Sequence, residues 1–113
     1  MLPKKYRLVK NNDFARVAQK GKMIFGQEVS LKWIKNDLNY SRFGITVSLK
    51  VDKRAVMRNK IKRRIRAILK KYLLQFVLGY DFLILTRPKI KELDFQQIES
   101  AILKIFKKGG LIQ

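Results

Sequence analysis

The chain has no cysteine and no histidine, only two prolines and six glycines, and eight acidic residues against 27 basic ones in 113. The first absence removes disulfides, thiol nucleophiles, imidazole bases and Cys/His zinc sites together, and with them most protein-only catalytic devices. Few prolines and glycines leave no linker between domains; Gly109-Gly110 marks only a tail. No run is apolar and long enough for a membrane span, and the basic start MLPKKYRLVKNNDF does not lead into a signal-peptide core. These features predict a cytoplasmic protein with a single domain over residues 1–113. The acids are scattered, with Asp81 beside an apolar strand and Asp94 placed as a helix cap, so no acidic pair suggests a two-metal nuclease.

What is present in excess is positive charge, +19 at neutral pH. Such an imbalance repels itself in a compact state and is relieved by phosphates. Ten of the 27 basic residues fall in Lys53 to Lys71, KRAVMRNKIKRRIRAILKK, which has no acid. Hydrophobic residues at 47%, with seven Phe, four Tyr and one Trp, argue against disorder and for one packed core.

Asn11, Asn12 and Asp13 offer cap oxygens before Phe14, Val17 and Ala18 at helical spacing, with Gly21 placed to end the helix in a left-handed conformation. From Met23 to Lys35 the pattern turns to period two, with Val29, Leu31 and Trp33 on one face and Ser30 and Lys32 on the other. Arg42 to Ser48 alternates too: Phe43, Ile45 and Val47 face a core, while Gly44, Thr46 and Ser48 form an open, lightly polar face. The basic stretch is helical, with Met57, Ile61, Ile65, Ile68 and Tyr72 forming an apolar stripe about 80° wide at about 100° per residue. Arg58, Asn59, Lys62, Arg63, Arg66 and Lys70 share the arc beside it. Arg58, Lys62 and Arg66 stack one turn apart, so their charges oppose the helix unless an anion lies across them. YDFLILT after Gly79 reads as a central strand stopped by Pro88, and Asp94 with Gln97 reads as a capping box opening a last helix that buries Phe95, Ile98, Ile102 and Ile105. The predicted order is α-β-β-β-α-β-α: an α+β, two-layer sandwich of three helices on a sheet of about four strands.

Within the basic helix, AVMRNKIKRRIR resembles the Arg-Asn-Arg motif of the bacterial ribonuclease P protein component. NNDFARVAQKGK, RFGITVSLK, GYDFLILTRP and the closing amphipathic helix follow in that family's order and spacing, so the resemblance spans nearly the whole chain. It implies a non-catalytic protein subunit of a ribonucleoprotein endonuclease. Such a subunit binds a catalytic RNA and precursor tRNA, and helps the RNA remove the 5′ leader. It also implies Mg2+ held mainly by the RNA, no organic cofactor, no obligate protein partner, and a left-handed β-α-β crossover through the basic helix.

Carried over by position, the resemblance assigns Arg58, Asn59, Lys60, Lys62, Arg63 and Arg66 to RNA binding, with Lys60 where the motif has its second Arg. Lys keeps the charge there and loses the bidentate fork. A cleft between the first helix and the open sheet face would take the single-stranded leader, with Phe14 at an aromatic position and Thr46 and Ser48 at hydroxyl positions. Ala18 and Leu31 stand where the family commonly has aromatics, which leaves stacking to Phe14. The plainer readings are that Phe14 packs into the core, that Thr46 and Ser48 are ordinary strand residues, and that the cationic arc is a solvated face. Lys4, Lys5, Arg7 and Lys10 read as a flexible basic arm. Two other classes fit the charge: a ribosomal or other structural RNA-binding protein, and a basic amphipathic membrane-surface protein. The narrow, Ile-rich stripe favours a helix docked on a sheet over one lying on lipid.

Overall fold

A computed structural model describes residues 2–113. Three helices, α1 (Asn11–Lys20), α2 (Ala55–Lys71) and α3 (Phe95–Lys108), accompany strands β1 (Lys22–Ile24), β2 (Val29–Lys35), β3 (Arg42–Thr46) and β4 (Tyr80–Thr86). The strands form one mixed sheet in the order β1-β2-β4-β3. β2 runs antiparallel to both β1 and β4, whereas β3 and β4 are parallel neighbours joined through α2. The α+β class, the three helices on four strands and the element order expected from the sequence are those observed, but helices cover both faces of the sheet, so the layers are three and not two.

The period-two pattern decides which side of the sheet each residue serves. Val29, Leu31, Phe43, Phe82 and Ile84 face α2 and α3 and join the main core. Its centre is aromatic: Phe43, Phe76, Phe82 and Phe106 pack with centroids from 4.7 to 6.5 Å apart. On α2 the buried stripe is Ile61, Ile65, Ile68 and Leu69, an arc of about 100°. α3 opens on the expected capping box, with the Asp94 carboxylate accepting from the Gln97 backbone N–H while the Gln97 side chain accepts from that of Asp94.

α1 lies on the opposite face, where Val17 and Phe14 meet Leu8, Ile34, Leu83 and Leu85 in a smaller cluster. Its ends differ from expectation. Asn11, Asn12 and Asp13 lie inside the first turn and no side chain caps it. Gly21 has an extended backbone, φ −73°, rather than a left-handed one. Glycine is needed there for room: a Cβ would sit 2.5 Å from the Val17 carbonyl oxygen and 3.0 Å from that of Trp33. The N-terminal arm is not loose either. Leu2 and Leu8 are buried, Lys4–Tyr6 form a 3-10 turn, and the Leu8 N–H donates to the Phe43 carbonyl at 2.8 Å. Apolar anchors at both ends hold what charge alone would have left free.

Asp81, expected only as an acid beside an apolar strand, lies within β4 and is wholly buried. Its Oδ1 accepts from Asn36 Nδ2 at 2.9 Å and Arg42 Nε at 2.9 Å, and its Oδ2 from Arg42 Nη2 at 2.7 Å and Arg16 Nη2 at 3.0 Å. Burial works to raise its pKa, but hydrogen bonds from Arg42, Asn36 and Arg16 outweigh it and hold the carboxyl below its ordinary value. Arg42 is also bonded to Asp13 of α1 at 3.3 Å, so both acids and both guanidiniums rivet α1 to the sheet.

Asp81→Asn leaves two guanidiniums short of their counter-charge in a partly buried site. It should cost about 3 kcal/mol, measured by urea unfolding, since breaking such pairs typically costs 3–5. Because the native pKa of Asp81 is depressed, its contribution is complete above the unfolded carboxyl value and is lost as pH falls through the native one. Wild-type stability should therefore drop on the acid side more steeply than that of Asp81→Asn.

Candidate nucleic-acid interface

α2 sorts its cations into two flanks. Arg58, Lys62, Arg66, Asn59, Lys70 and Arg63 follow one another around one arc, from the edge of the buried stripe into solvent. Arg58, Lys62 and Arg66 are half-buried, whereas Asn59, Arg63 and Lys70 are exposed. Among the described residues none of the five cations on this arc forms a salt bridge. Four acids are engaged elsewhere: Asp52 with Arg54 and Lys91, Glu99 with Lys71, and Asp13 and Asp81 with the α1 rivet. Lys60 falls outside the arc, about 60° beyond Arg63, on the flank that further along carries Lys71. The structure thus groups five of the six motif residues and sets Lys60 apart.

Two of these side chains have further local partners. Arg58 Nη1 donates to the carbonyls of Asp52 at 3.0 Å and Lys53 at 2.8 Å, tying the turn before α2 to its first turn. Among the described residues its Nε and Nη2 make no hydrogen bond. The pKa of Arg66 is held below its ordinary value, first by burial and second by the charge of Arg7. Burial and a like charge both disfavour the protonated guanidinium, and a bound anion would offset both. The arm therefore adds a fixed cation to this surface, a contribution hidden by reading it as flexible.

Round the edge of β3 lies the open sheet face. Its rows across the strands are Ile34, Asp81 and Arg42, then Lys32, Leu83 and Gly44, then Ser30, Leu85 and Thr46. The half-buried ring of Phe14 lies on Gly44, where a Cβ would come within 2.6 Å of its Cε1. Only glycine lets the ring settle so low. Thr46 follows on the same face about 6.6 Å along the strand, and among the described residues neither its hydroxyl nor that of Ser48 is hydrogen-bonded. Ser48 lies past the end of β3, in the turn leading to α2, where its carbonyl accepts from the Val51 N–H at 3.0 Å. Phe14, Thr46 and Ser48 thus run from α1 across β3 towards the cationic helix.

Leu31 is corrected. It is fully buried in the main core, paired with Ile84, and faces away from the cleft. The β2 residue facing the cleft is Lys32, whose Nζ donates to the Ala18 carbonyl at 2.8 Å. Ala18 is exposed at the end of α1. Lys32 was visible as a polar position in the alternating pattern, but nothing in the sequence marked it as a cleft residue.

A family model described as Ribonuclease P matches residues 2–110. The chain belongs to the ribonuclease P protein family. It is 34% identical to the ribonuclease P protein component of Streptococcus agalactiae serotype Ia over 113 residues, covering 98% of this chain and all of that one. The component of Syntrophomonas wolfei is 34% identical over 111 residues, covering 98% and 92%. Among solved structures, the Staphylococcus aureus RNase P protein superposes with a TM-score of 0.88 at 31% identity, covering 96% of this chain and 98% of that one. The RNase P protein of Thermotoga maritima gives 0.82 at 30%, covering 90% and 96%.

In a ribonuclease P protein of this geometry the motif cations differ in how much they hold the protein itself together. Arg58→Ala removes two bonds to backbone carbonyls and should cost about 1–2 kcal/mol in urea unfolding. Arg63→Ala removes an exposed charge that has no salt bridge among the described residues and should stay within about 0.5 kcal/mol of wild type. Equal losses would contradict this division.

Proposed function

We propose that this chain is the protein subunit of ribonuclease P: it lays the cationic arc of α2 against the catalytic RNA and receives the 5′ leader of precursor tRNA in the neighbouring cleft. In doing so it assists RNA-catalysed, metal-dependent removal of the leader. The observation that carries this reading is an arc of unpaired cations with an aromatic-floored, hydroxyl-edged groove beside it on one body. No helix among the described residues is long and apolar enough to cross a membrane, and the cytoplasm is where both RNA partners would be met.

The division of labour follows from the chemistry of each surface. Phosphates along the RNA displace their condensed counterions when they meet Arg58, Lys62, Arg63 and Arg66, which makes binding steeply salt-dependent but reads no sequence. The relaxed Arg66 and Arg7 repulsion adds to that gain. In the cleft an extended single strand exposes its base faces to Phe14 and its polar edges to Thr46 and Ser48. The Asp81 rivet keeps the ring at a fixed height above β3, so a base meets a surface already in place.

Mg2+ belongs with the RNA in this reading. Asp13, Asp52, Asp81 and Glu99 each hold a cationic side chain and Asp94 caps α3, so the protein's carboxylates are largely engaged in its own structure. Mg2+ on the RNA supplies the hydrolytic chemistry; the protein contributes position and charge, and no protein side chain takes a catalytic role.

Reconstitution with the catalytic RNA tests this. Protein alone should leave precursor tRNA intact, while its addition should lower the Mg2+ needed for cleavage and favour precursor over mature tRNA. Unchanged cleavage would reject the proposal. Arg63→Ala should weaken RNA binding and reduce the slope of log affinity against log salt by about 1. Phe14→Ala should leave that slope intact but cost about 1–3 kcal/mol of the preference for leader-bearing substrate.

A further inference from the structure

Away from the cleft, at the end of the molecule where α2 runs out, a cavity of about 390 Å3 opens between the arm, the β2–β3 loop and the segment after α2. Tyr6 and Tyr40 meet edge to face in its wall, ring centroids 5.9 Å apart. The Lys5 ammonium lies 4.5 Å from the centroid of Tyr40 and 5.5 Å from that of Tyr6. Across the mouth stand Leu74, 96% exposed, and Leu78, 68% exposed. Among the described residues no acid lines the cavity. Asn39 and Gln113, which do line it, make no side-chain hydrogen bond among the described residues.

We infer that this cavity is a nucleobase site, taking one unpaired base of the RNA strand that runs along α2. The inference rests on the proposal that α2 lies against RNA, and it adds a contact which neither the motif helix nor the leader cleft supplies. An aromatic wall, free amide groups and an ammonium are what a base needs: a flat apolar surface, donors and acceptors for its edge, and a cation for the phosphate beside it.

Position connects the cavity to the candidate interface. Leu73 and Leu74 come just past Tyr72, the residue that ends α2 after Lys70 and Lys71, and Lys5 and Tyr6 belong to the arm whose Arg7 charge acts on Arg66. A strand following the cationic arc towards the C-terminal end of α2 arrives at the Leu74 rim. Lys5 is exposed and its contact with the rings is a weak cation–π interaction, readily exchanged. On binding, the base takes the face of Tyr40 and the ammonium moves to the adjoining phosphate, so both interactions are replaced by stronger ones. The exposed leucines could equally be covered by a second copy of the chain, but that would bring two bodies of formal charge +19 together.

The test uses the full chain and two probes of equal phosphate charge, a hexamer of riboadenylate and the same hexamer without bases. Aromatic NMR at constant salt reads Tyr6 and Tyr40 directly, apart from Phe14. The base-bearing hexamer should shift both tyrosine ring signals while the abasic one should not, and Tyr40→Phe should preserve the response. Leu74→Glu, at an exposed position that folding does not need, should weaken binding of the base-bearing hexamer between about fivefold and a hundredfold. Tyrosine signals that ignore the bases, or respond equally to the abasic probe, would overturn the inference. A concentration-dependent dimer abolished by Leu74→Glu would assign the cavity to self-association and also overturn it. No catalytic RNA or cleavage enters this experiment, so its failure is separate from failure of the reconstitution.

Discussion

The buried carboxylate of Asp81 is the point on which the geometry turns. A charge taken out of water is costly unless paired, and this one is satisfied only when β3 brings Arg42, α1 brings Arg16 and the end of β2 brings Asn36. A single acid therefore specifies the placing of three elements at once. Because α1 is fixed on the sheet, Phe14 comes to rest on Gly44, and because Gly44 has no side chain, the ring lies against the strand. The candidate leader cleft follows from an electrostatic constraint at its far end.

The distribution of acids also shapes the other surface. With so few carboxylates, which of them pair with cations decides which cations stay unpaired. Asp13, Asp52, Asp81 and Glu99 draw Arg42, Arg16, Arg54, Lys91 and Lys71 into structural roles, and among the described residues the arc from Arg58 to Lys70 is left without a salt bridge. Half-burial of Arg66 sharpens this, since burial first and the charge of Arg7 second both disfavour its protonated form. Folding energy from the aromatic core and the Ile stripe sustains a charge arrangement that would not persist on its own.

Much of this was legible in the sequence wherever the signal was local. Alternation over Arg42 to Thr46 gave the two faces of β3, the spacing of Ile61, Ile65 and Ile68 gave the seat of α2, and Asp94 with Gln97 gave a true capping box. Alternation also grouped Leu31 with Val29 and Trp33; the resemblance put it in the cleft, and the structure sides with the alternation. Asp81 was illegible because its partners Arg42 and Arg16 are 39 and 65 residues away, and an acid in an apolar strand gives no sign of which guanidinium will reach it. The arm misled for a related reason: its charges suggest solvent, but Leu2 and Leu8 are anchored by residues far along the chain. Lys60 shows the opposite limit, since a motif read as a string ignores that successive helix residues point about 100° apart.

The anchored arm has one more consequence. β3 is an outer strand of the sheet, and its unpaired backbone edge is the sort of template on which chains add to one another. The parallel bridge of Arg7 to Phe43 and the bond from Leu8 occupy part of that edge with the protein's own N-terminal segment. A molecule whose net charge is neutralised by RNA loses the repulsion that otherwise keeps copies apart, and at that moment a covered edge is what still guards it against aggregation.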